Sequence, residues 1–286
     1  MKKYLMSKIL TIQTIFFAIA ITLTMYSHSI NAYQPIVTIG KPALQDIKYC
    51  PDGRYLVTLT ESFVEFLDAE TFTPVFKIYT PEHYTYNLKI SSDNSLLAFH
   101  SEKNIYILDI PSRNLYARIP VEYTDSIDLS PDGKYLAYIE RNKDSVFLWD
   151  IKQKKIVKEL TGDPEPLLTD SNYFIYNISF HPNAKILAVA SQRKTLALWD
   201  IETGKILSHL EVVDTSFNQK LEFSNDGKWL FAQNLSSVAK YDLSTGKSDY
   251  ILVMGCSSMA VTADGNYVIT GDQYAKLRIS DIRTKN

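Results

Sequence analysis

The sequence lacks a dominant charge: 30 Lys and Arg stand against 32 Asp and Glu, a formal net charge of −2. Nucleic-acid binding rests on a clustered basic face, usually on a basic domain, so DNA and RNA are excluded as expected partners. Glycine is scarce, at 10 of 286 residues, which excludes a collagen-like fibre. Hydrophobic residues reach 45 %, too many for a disordered chain. With a single long apolar run, at residues 9–26, the chain does not read as a polytopic membrane protein.

Reactive constellations are missing as well. No two cysteines are separated by two residues and no Gly-x-Ser-x-Gly elbow occurs. Of the five histidines, His28 falls in the N-terminal segment before residue 33, and His83, His100, His181 and His209 show no metal-ligand spacing and read as turn and strand residues with local partners. Asp163 and Glu165, in the run Asp163-Pro164-Glu165-Pro166, read as a stiff solvated connection rather than a catalytic pair. No catalytic residue, metal site or cofactor is therefore expected. Aromatic residues are abundant, with 19 Tyr and 13 Phe, and their preference for half-buried pleated positions points to an all-β fold.

Residues 1–32 read as a signal peptide: Lys2, Lys3 and Lys8 precede the apolar run, and Ile30 and Ala32 suit cleavage after Ala32. An uncleaved anchor is the alternative, although Thr11, Gln13, Thr14, Thr22 and Thr24 weaken the run. Removal of this segment leaves 254 residues with 27 basic against 32 acidic side chains. The expected product is periplasmic or secreted, with no stable membrane insertion after cleavage. Residues 33–286 form the folded domain.

Within that domain one unit recurs. An Asp or Asn stands in the same turn motif at Asp52, Asp93, Asp132, Asn183, Asp226 and Asp264, at spacings of 41, 39, 51, 43 and 38. The fullest copy runs Ile127-Asp128-Leu129-Ser130-Pro131-Asp132-Gly133-Lys134-Tyr135-Leu136-Ala137-Tyr138, an alternating strand, a tight turn and a second strand. Pro presets φ, Asp bonds backbone locally and Gly takes the left-handed dihedrals. A second marker closes a third strand: Leu67-Asp68, Leu108-Asp109, Trp149-Asp150, Trp199-Asp200, Tyr241-Asp242 and Ser280-Asp281. A short polar turn and a fourth strand follow, so each unit is expected to be a four-stranded antiparallel meander. The final unit has no room for a fourth strand after Asp281, whereas residues 36–39 form an apolar strand without a unit, so this N-terminal strand is expected to close the ring of six blades.

Through the Trp-Asp pairs at 149/150 and 199/200 and the Ser-Pro-Asp-Gly-like turns, the chain resembles the WD-repeat β-propeller family, in an exported bacterial form. The turn motif also looks like that of TolB-type periplasmic propellers. Two features depart from the WD pattern: no Gly-His dipeptide precedes a first strand, and the Asp of the second hairpin turn has a match only at Asp272. Without the family's hydrogen-bonded tetrad, cohesion between blades is expected to rest on strand pairing and apolar packing.

The resemblance implies a non-enzymatic scaffold that binds a protein or peptide. In a propeller the connections between blades open on one face, and here they carry Tyr84, Tyr86, Tyr123, Tyr173, Tyr176 and Phe217, the expected binding residues. The alternative is a propeller enzyme, lactonase-like or quinoprotein-like, with a metal or cofactor at the axis. Cys50 and Cys256 fall near opposite faces and are expected to remain unbridged.

Overall fold

The computed structural model describes residues 44–80, 82, 85–140, 143, 145–161, 175–182, 185–191, 195–211, 220–234, 237–252, 256–262, 265–272 and 277–282. They build six antiparallel sheets in chain order, the blades of a six-bladed β-propeller: blade 1 (44–79), blade 2 (86–120), blade 3 (127–161), blade 4 (175–211), blade 5 (220–252) and blade 6 (256–281). Blades 1 to 5 have four strands in sequential order, and blade 6 has three among the described residues. The first strand of each blade is innermost: Leu44–Tyr49, Tyr86–Ile90, Ile127–Leu129, Ile175–Phe180, Lys220–Phe223 and Cys256–Val261. Consecutive inner strands touch from blade 1 through blade 6.

The two repeated Asp residues act through local hydrogen bonds. In the first turn of blade 3, Ser130 Oγ donates to Asp132 at 2.6 Å and accepts from Tyr135 N at 2.8 Å, while Asp132 accepts from Lys134 N. The same arrangement recurs at Ser91 with Asp93 and at Ser224 with Asp226. Gly133 has a φ of +66°, a region costly for a side chain bearing Cβ, and Asn94 fills that place in blade 2 at +60°. In the second turn, the carboxylates of Asp68, Asp109, Asp150, Asp200 and Asp242 each accept a backbone N–H two or three residues on. This explains why the second marker ends in Asp even where no Trp precedes it.

The core lies between blades. In the third strand, the residue two before the marker Asp faces the next blade and the residue one before it faces the preceding blade. Phe66 and Leu108 thus meet between blades 1 and 2, and Ile107 and Trp149 between blades 2 and 3. Leu148 and Trp199 meet between blades 3 and 4, and Leu198 and Tyr241 between blades 4 and 5. Trp149 and Trp199 are 6 % and 8 % exposed, so both act as inter-blade filler. In blade 6 the corresponding Ile279 is 57 % exposed, although Phe66, Ile107, Leu148 and Leu198 are buried. The N-terminal strand expected to complete this blade, residues 36–39, lies outside the described residues, as does the expected signal peptide.

Candidate functional site

Alignment of the inner strands on their turns reveals two rings of residues on the face turned toward the next blade and the axis. Six residues before the turn Asp or Asn stand Asp46, Asn87, Ser126, Asn177, Lys220 and Ser258; four before it stand Lys48, Lys89, Asp128, Ser179, Glu222 and Ala260. An innermost strand has one edge without a strand partner, and its N–H and C=O groups need other bonds. The rings supply them. Asp46 accepts from Leu88 N at 2.8 Å, Ser126 from Ile178 N at 3.4 Å and Asp128 from Phe180 N at 2.8 Å. Asn87 Nδ2 donates to Asp125 O at 3.2 Å, and Lys220 Nζ to Met259 O at 2.6 Å. Between blades 4 and 5, His181 Nε2 donates to Gly227 O at 2.8 Å, its ring standing edge-on to Phe223.

These clasps correct the expectation that blades cohere through strand pairing and apolar packing alone. His181 likewise proves to be an inter-blade residue rather than one with local partners. A further polar network pins the connection into blade 2. The Glu82 carboxylate accepts from Ser101 Oγ, from Asn104 Nδ2 at 2.6 Å and from Arg118 at 3.3 Å. Burial opposes its ionisation, yet hydrogen bonds from Ser101 and Tyr106 and the Arg118 charge hold this carboxyl below the usual range.

The second ring opens into a cavity of about 180 Å³ on the face of the first turns. Its charged lining is Lys48, Lys89 and Lys220 with Asp128 and Glu222; Leu129, Phe180, Leu221 and Phe223 give it apolar walls, and Pro51, Pro131 and Pro182 stand at its rim. Lys89 pairs with Asp128 at 3.0 Å and Lys220 with Glu222 at 3.5 Å. Burial, followed by repulsion from Lys220, holds the Lys48 ammonium down to about 8, while Asp46 pulls the other way and Lys89 adds to the repulsion. Sequence reasoning missed this mouth. The signal was available as charged residues at one register of strands that otherwise alternate with apolar residues.

Of the aromatic residues expected to bind a partner, Tyr86 and Tyr123 stand toward the opposite face. Tyr86 opens the inner strand of blade 2, is 39 % exposed, and has its ring 5.7 Å from that of His100. Tyr123, in the connection into blade 3, is 37 % exposed. Tyr84, Tyr173 and Phe217 lie outside the described residues, as does the side chain of Tyr176. Beneath Tyr86, burial pushes His100 down to about 4, so it is neutral in the folded state. Among the described residues no three His, Cys, Asp or Glu side chains gather as metal ligands. Cys50 is a buried free thiol at the first turn of blade 1, pushed up to about 12 by burial and by Asp52. Cys256 opens the inner strand of blade 6 at the other face.

Comparison with known proteins agrees with this architecture. Residues 159–200 match the family described as WD domain, G-beta repeat. The chain is 24 % identical over 225 residues to Actin-interacting protein 1 of Drosophila melanogaster, covering 74 % of this chain and 34 % of that protein. It is 22 % identical over 161 residues to WD repeat-containing protein SL1-17 of Schistosoma mansoni, covering 55 % of this chain and 50 % of that protein. The chain thus spans a third to a half of the length of these curated relatives. Its fold is similar to the β-propeller domain of Cps50 (Swd1) from Myceliophteria thermophila, with a TM-score of 0.77 and 16 % identity over 87 % of this chain and 85 % of that one. Blade order, turn chemistry and these likenesses together support a WD-repeat β-propeller.

Proposed function

We propose that this chain is a non-enzymatic protein-interaction scaffold of the cell envelope, periplasmic or secreted, that engages a protein or peptide through the face carrying Tyr84, Tyr86, Tyr123, Tyr173, Tyr176 and Phe217. The observation that carries the reading is the exposure of Tyr86 and Tyr123, at 39 % and 37 %, where the chain enters two successive blades. Exposed aromatic rings present large contact area at small entropic cost, and Tyr adds a polar tip. The similarity to WD-repeat proteins supports a binding rather than a catalytic role, and the basic-then-apolar segment at residues 1–32 supports export.

A photo-crosslinking residue placed at position 123 tests the reading in cells. The expected result is one dominant envelope adduct whose purified partner binds the Tyr86→Ala and Tyr123→Ala variants about 30-fold more weakly, as for a hot spot worth about 2 kcal/mol. Unchanged affinity in both variants removes these residues from the site. Fractionation with N-terminal sequencing tests export: a mature chain that starts at Tyr33 is expected, and a cytoplasmic chain retaining residues 1–32 overturns the envelope assignment.

A further inference from the structure

The outermost strands of the blades share a repeated irregularity. In blades 1 to 4 the pairing of the third strand with the fourth slips between the residues two and one before the marker Asp, leaving Val75, Tyr116, Val157 and Leu207 as the extra residues. The fourth strand of blade 5, Ser248–Leu252, pairs without a slip. A bulge of this kind blunts a free sheet edge and re-aims a side chain. Blunting needs no apolar residue. Leu115, Ile156, Val157 and Leu207, on the outer strands of blades 2 to 4, are nevertheless 52 %, 49 %, 38 % and 53 % exposed.

These residues belong to one continuous surface. Tyr116 Oη donates to Ile151 O at 3.2 Å and Lys154 Nζ to Tyr116 O at 3.0 Å, which ties the outer strand of blade 2 to the second turn of blade 3. Lys158 Nζ donates to Ile201 O at 2.9 Å, and its stem lies against Gly204, where an added Cβ would stand 3.4 Å from Lys158 Cδ, which ties blade 3 to blade 4. In this sector the second turns and the first halves of the outer strands hold Arg113, Lys152, Lys154, Lys155, Lys158 and Lys205 against Asp109, Asp150, Asp200 and Glu202. Six cations thus meet four carboxylates, in a chain whose overall formal charge is −2. The Asp109, Asp150 and Asp200 carboxylates accept from backbone N–H groups of their own turns. Lys152, Lys155 and Lys205 are exposed and carry no ion pair among the described residues.

Exposed aliphatic side chains set among lysines suit contact with anionic lipid, because hydrocarbon enters the headgroup boundary while ammonium groups attract the phosphates. A protein partner suits the sector less. Bulges oppose the addition of a strand at these edges, and the exposed apolar residues are aliphatic rather than the Trp and Tyr that anchor protein interfaces. We propose that the rim of blades 2 to 4, at its first-turn end, docks peripherally on an anionic lipid surface, with Ile156, Val157 and Leu207 entering the headgroup layer and Lys152, Lys155 and Lys205 at the phosphates. The bulges lie at that end because each fourth strand starts beside the second turn. Tyr86 and Tyr123 stand toward the other end of the blades, so docking leaves them turned away from the lipid and open to a partner. The proposal does not depend on the binding role of that face.

Co-sedimentation of the exported chain with vesicles of phosphatidylglycerol and phosphatidylcholine tests the proposal, with pure phosphatidylcholine vesicles as the neutral surface. Binding to the anionic vesicles is expected, about tenfold stronger than to the neutral ones and declining as salt rises. Lys205→Glu is expected to lower partition by about tenfold, and Leu207→Ser by about threefold. Lys247→Glu makes the same charge change at the corresponding position of blade 5 and is expected to stay within about twofold of the parent, since salt screens distant charges. All three positions are exposed, so the variants are expected to melt with the parent chain in circular dichroism. Equal partition into the two vesicle types overturns the proposal, as do equal effects of Lys205→Glu and Lys247→Glu or unchanged partition in Leu207→Ser. Binding of a Glu-rich peptide without binding to vesicles assigns the sector to a protein partner and overturns it as well.

Discussion

Replacement of Asp128 separates the clasp from the apolar packing that surrounds it. One carboxylate oxygen accepts from Phe180 N at 2.8 Å and the other pairs with Lys89 Nζ at 3.0 Å, so a single side chain joins the inner strands of blades 2, 3 and 4. Asp128→Ala leaves the Phe180 N–H at the inner edge without its acceptor, at about 2 kcal/mol for a buried donor partly reached by water. It also strips Lys89 of its counter-ion. The two side chains are 14 % and 22 % exposed, between the surface and buried limits, so about 1 kcal/mol is assigned to that loss. The sum, about 3 kcal/mol, lowers Tm by about 6 to 12 °C in a domain of this size. Asp128→Asn keeps an acceptor for Phe180 and loses only the ion pair, so it is expected to lower Tm by about 2 to 4 °C. Thermal unfolding followed by circular dichroism, with urea titration for the free energies, measures both. Equal losses for Ala and Asn, or a loss under about 0.5 kcal/mol for Ala, refute the reasoning, because the backbone acceptor would then contribute nothing.

Trp149→Ala and Trp199→Ala each open a void between blades and are expected to cost about 3 to 5 kcal/mol in urea unfolding; an unchanged midpoint places these indoles outside the core. A Cβ at Gly227 falls 2.3 Å from His181 Cε1 at a φ of +71°, so Gly227→Ala is expected to destabilise strongly, and addition of His181→Ala to recover only the steric part; full recovery rules out backbone strain. His100, neutral when folded and ordinary when unfolded, contributes stability that is complete above pH 6.5 and declines by about 3 kcal/mol as pH falls toward its folded value of about 4. His100→Gln is expected to flatten that limb of the stability profile, and an unaltered slope refutes the assignment. Deletion of residues 33–40 is expected to leave Ile279 and its sheet without a fourth strand and to cost several kcal/mol; a deletion that melts like the parent chain sinks closure by the N-terminal strand.

What the sequence revealed and what it hid divide along the range of the interactions. The turn Asp residues were legible because Asp132 bonds Lys134 N and Asp150 bonds Gln153 N, contacts two and three residues apart that recur in register with the repeat. Trp149 and Trp199 were legible because a bulky residue at one register of the third strand, filled by Leu67, Leu108, Trp149, Trp199 and Tyr241 in blades 1 to 5, has no destination except a neighbouring blade. The clasps were hidden because they join residues 42 positions apart at Asp46 and Leu88, and 52 apart at Asp128 and Phe180. Their acceptors are backbone-directed side chains in strands whose hydrophobic alternation alone was read. His181 was misjudged for the same reason: it occupies the place of a turn serine, but its ring is long enough to reach the next blade. Of the expected binding residues, only Tyr86 and Tyr123 have side chains among the described residues, although Tyr84, Tyr123 and Phe217 share one register, nine residues before the turn Asp, and Tyr86 and Tyr176 another, seven before the turn Asp or Asn.

The same geometry that makes a blade edge need polar partners makes the axis a place where charge collects. Every inner strand presents one apolar face to the preceding blade and must place hydrogen-bonding side chains on the other. Six blades therefore direct two six-membered rings toward a common axis. Cohesion alone sets a modest requirement, met by Asn87 and Ser126 with neutral groups. The Lys48 ammonium exceeds it: with its amine held down to about 8 from an unfolded value of 10.5, the protonated side chain opposes folding at pH 7 by about 3 kcal/mol. The sign follows from the depressed folded value, since the favourable contribution is complete only above pH 10.5 and is lost as pH falls to about 8. An axis selected for stability alone gains by replacing Lys48 with an apolar residue. The mouth and the clasps are therefore one structure: Asp128 and Lys220 line the cavity and at the same time bond the backbone of the next blade, so charge at the axis is set by residues that also hold the ring.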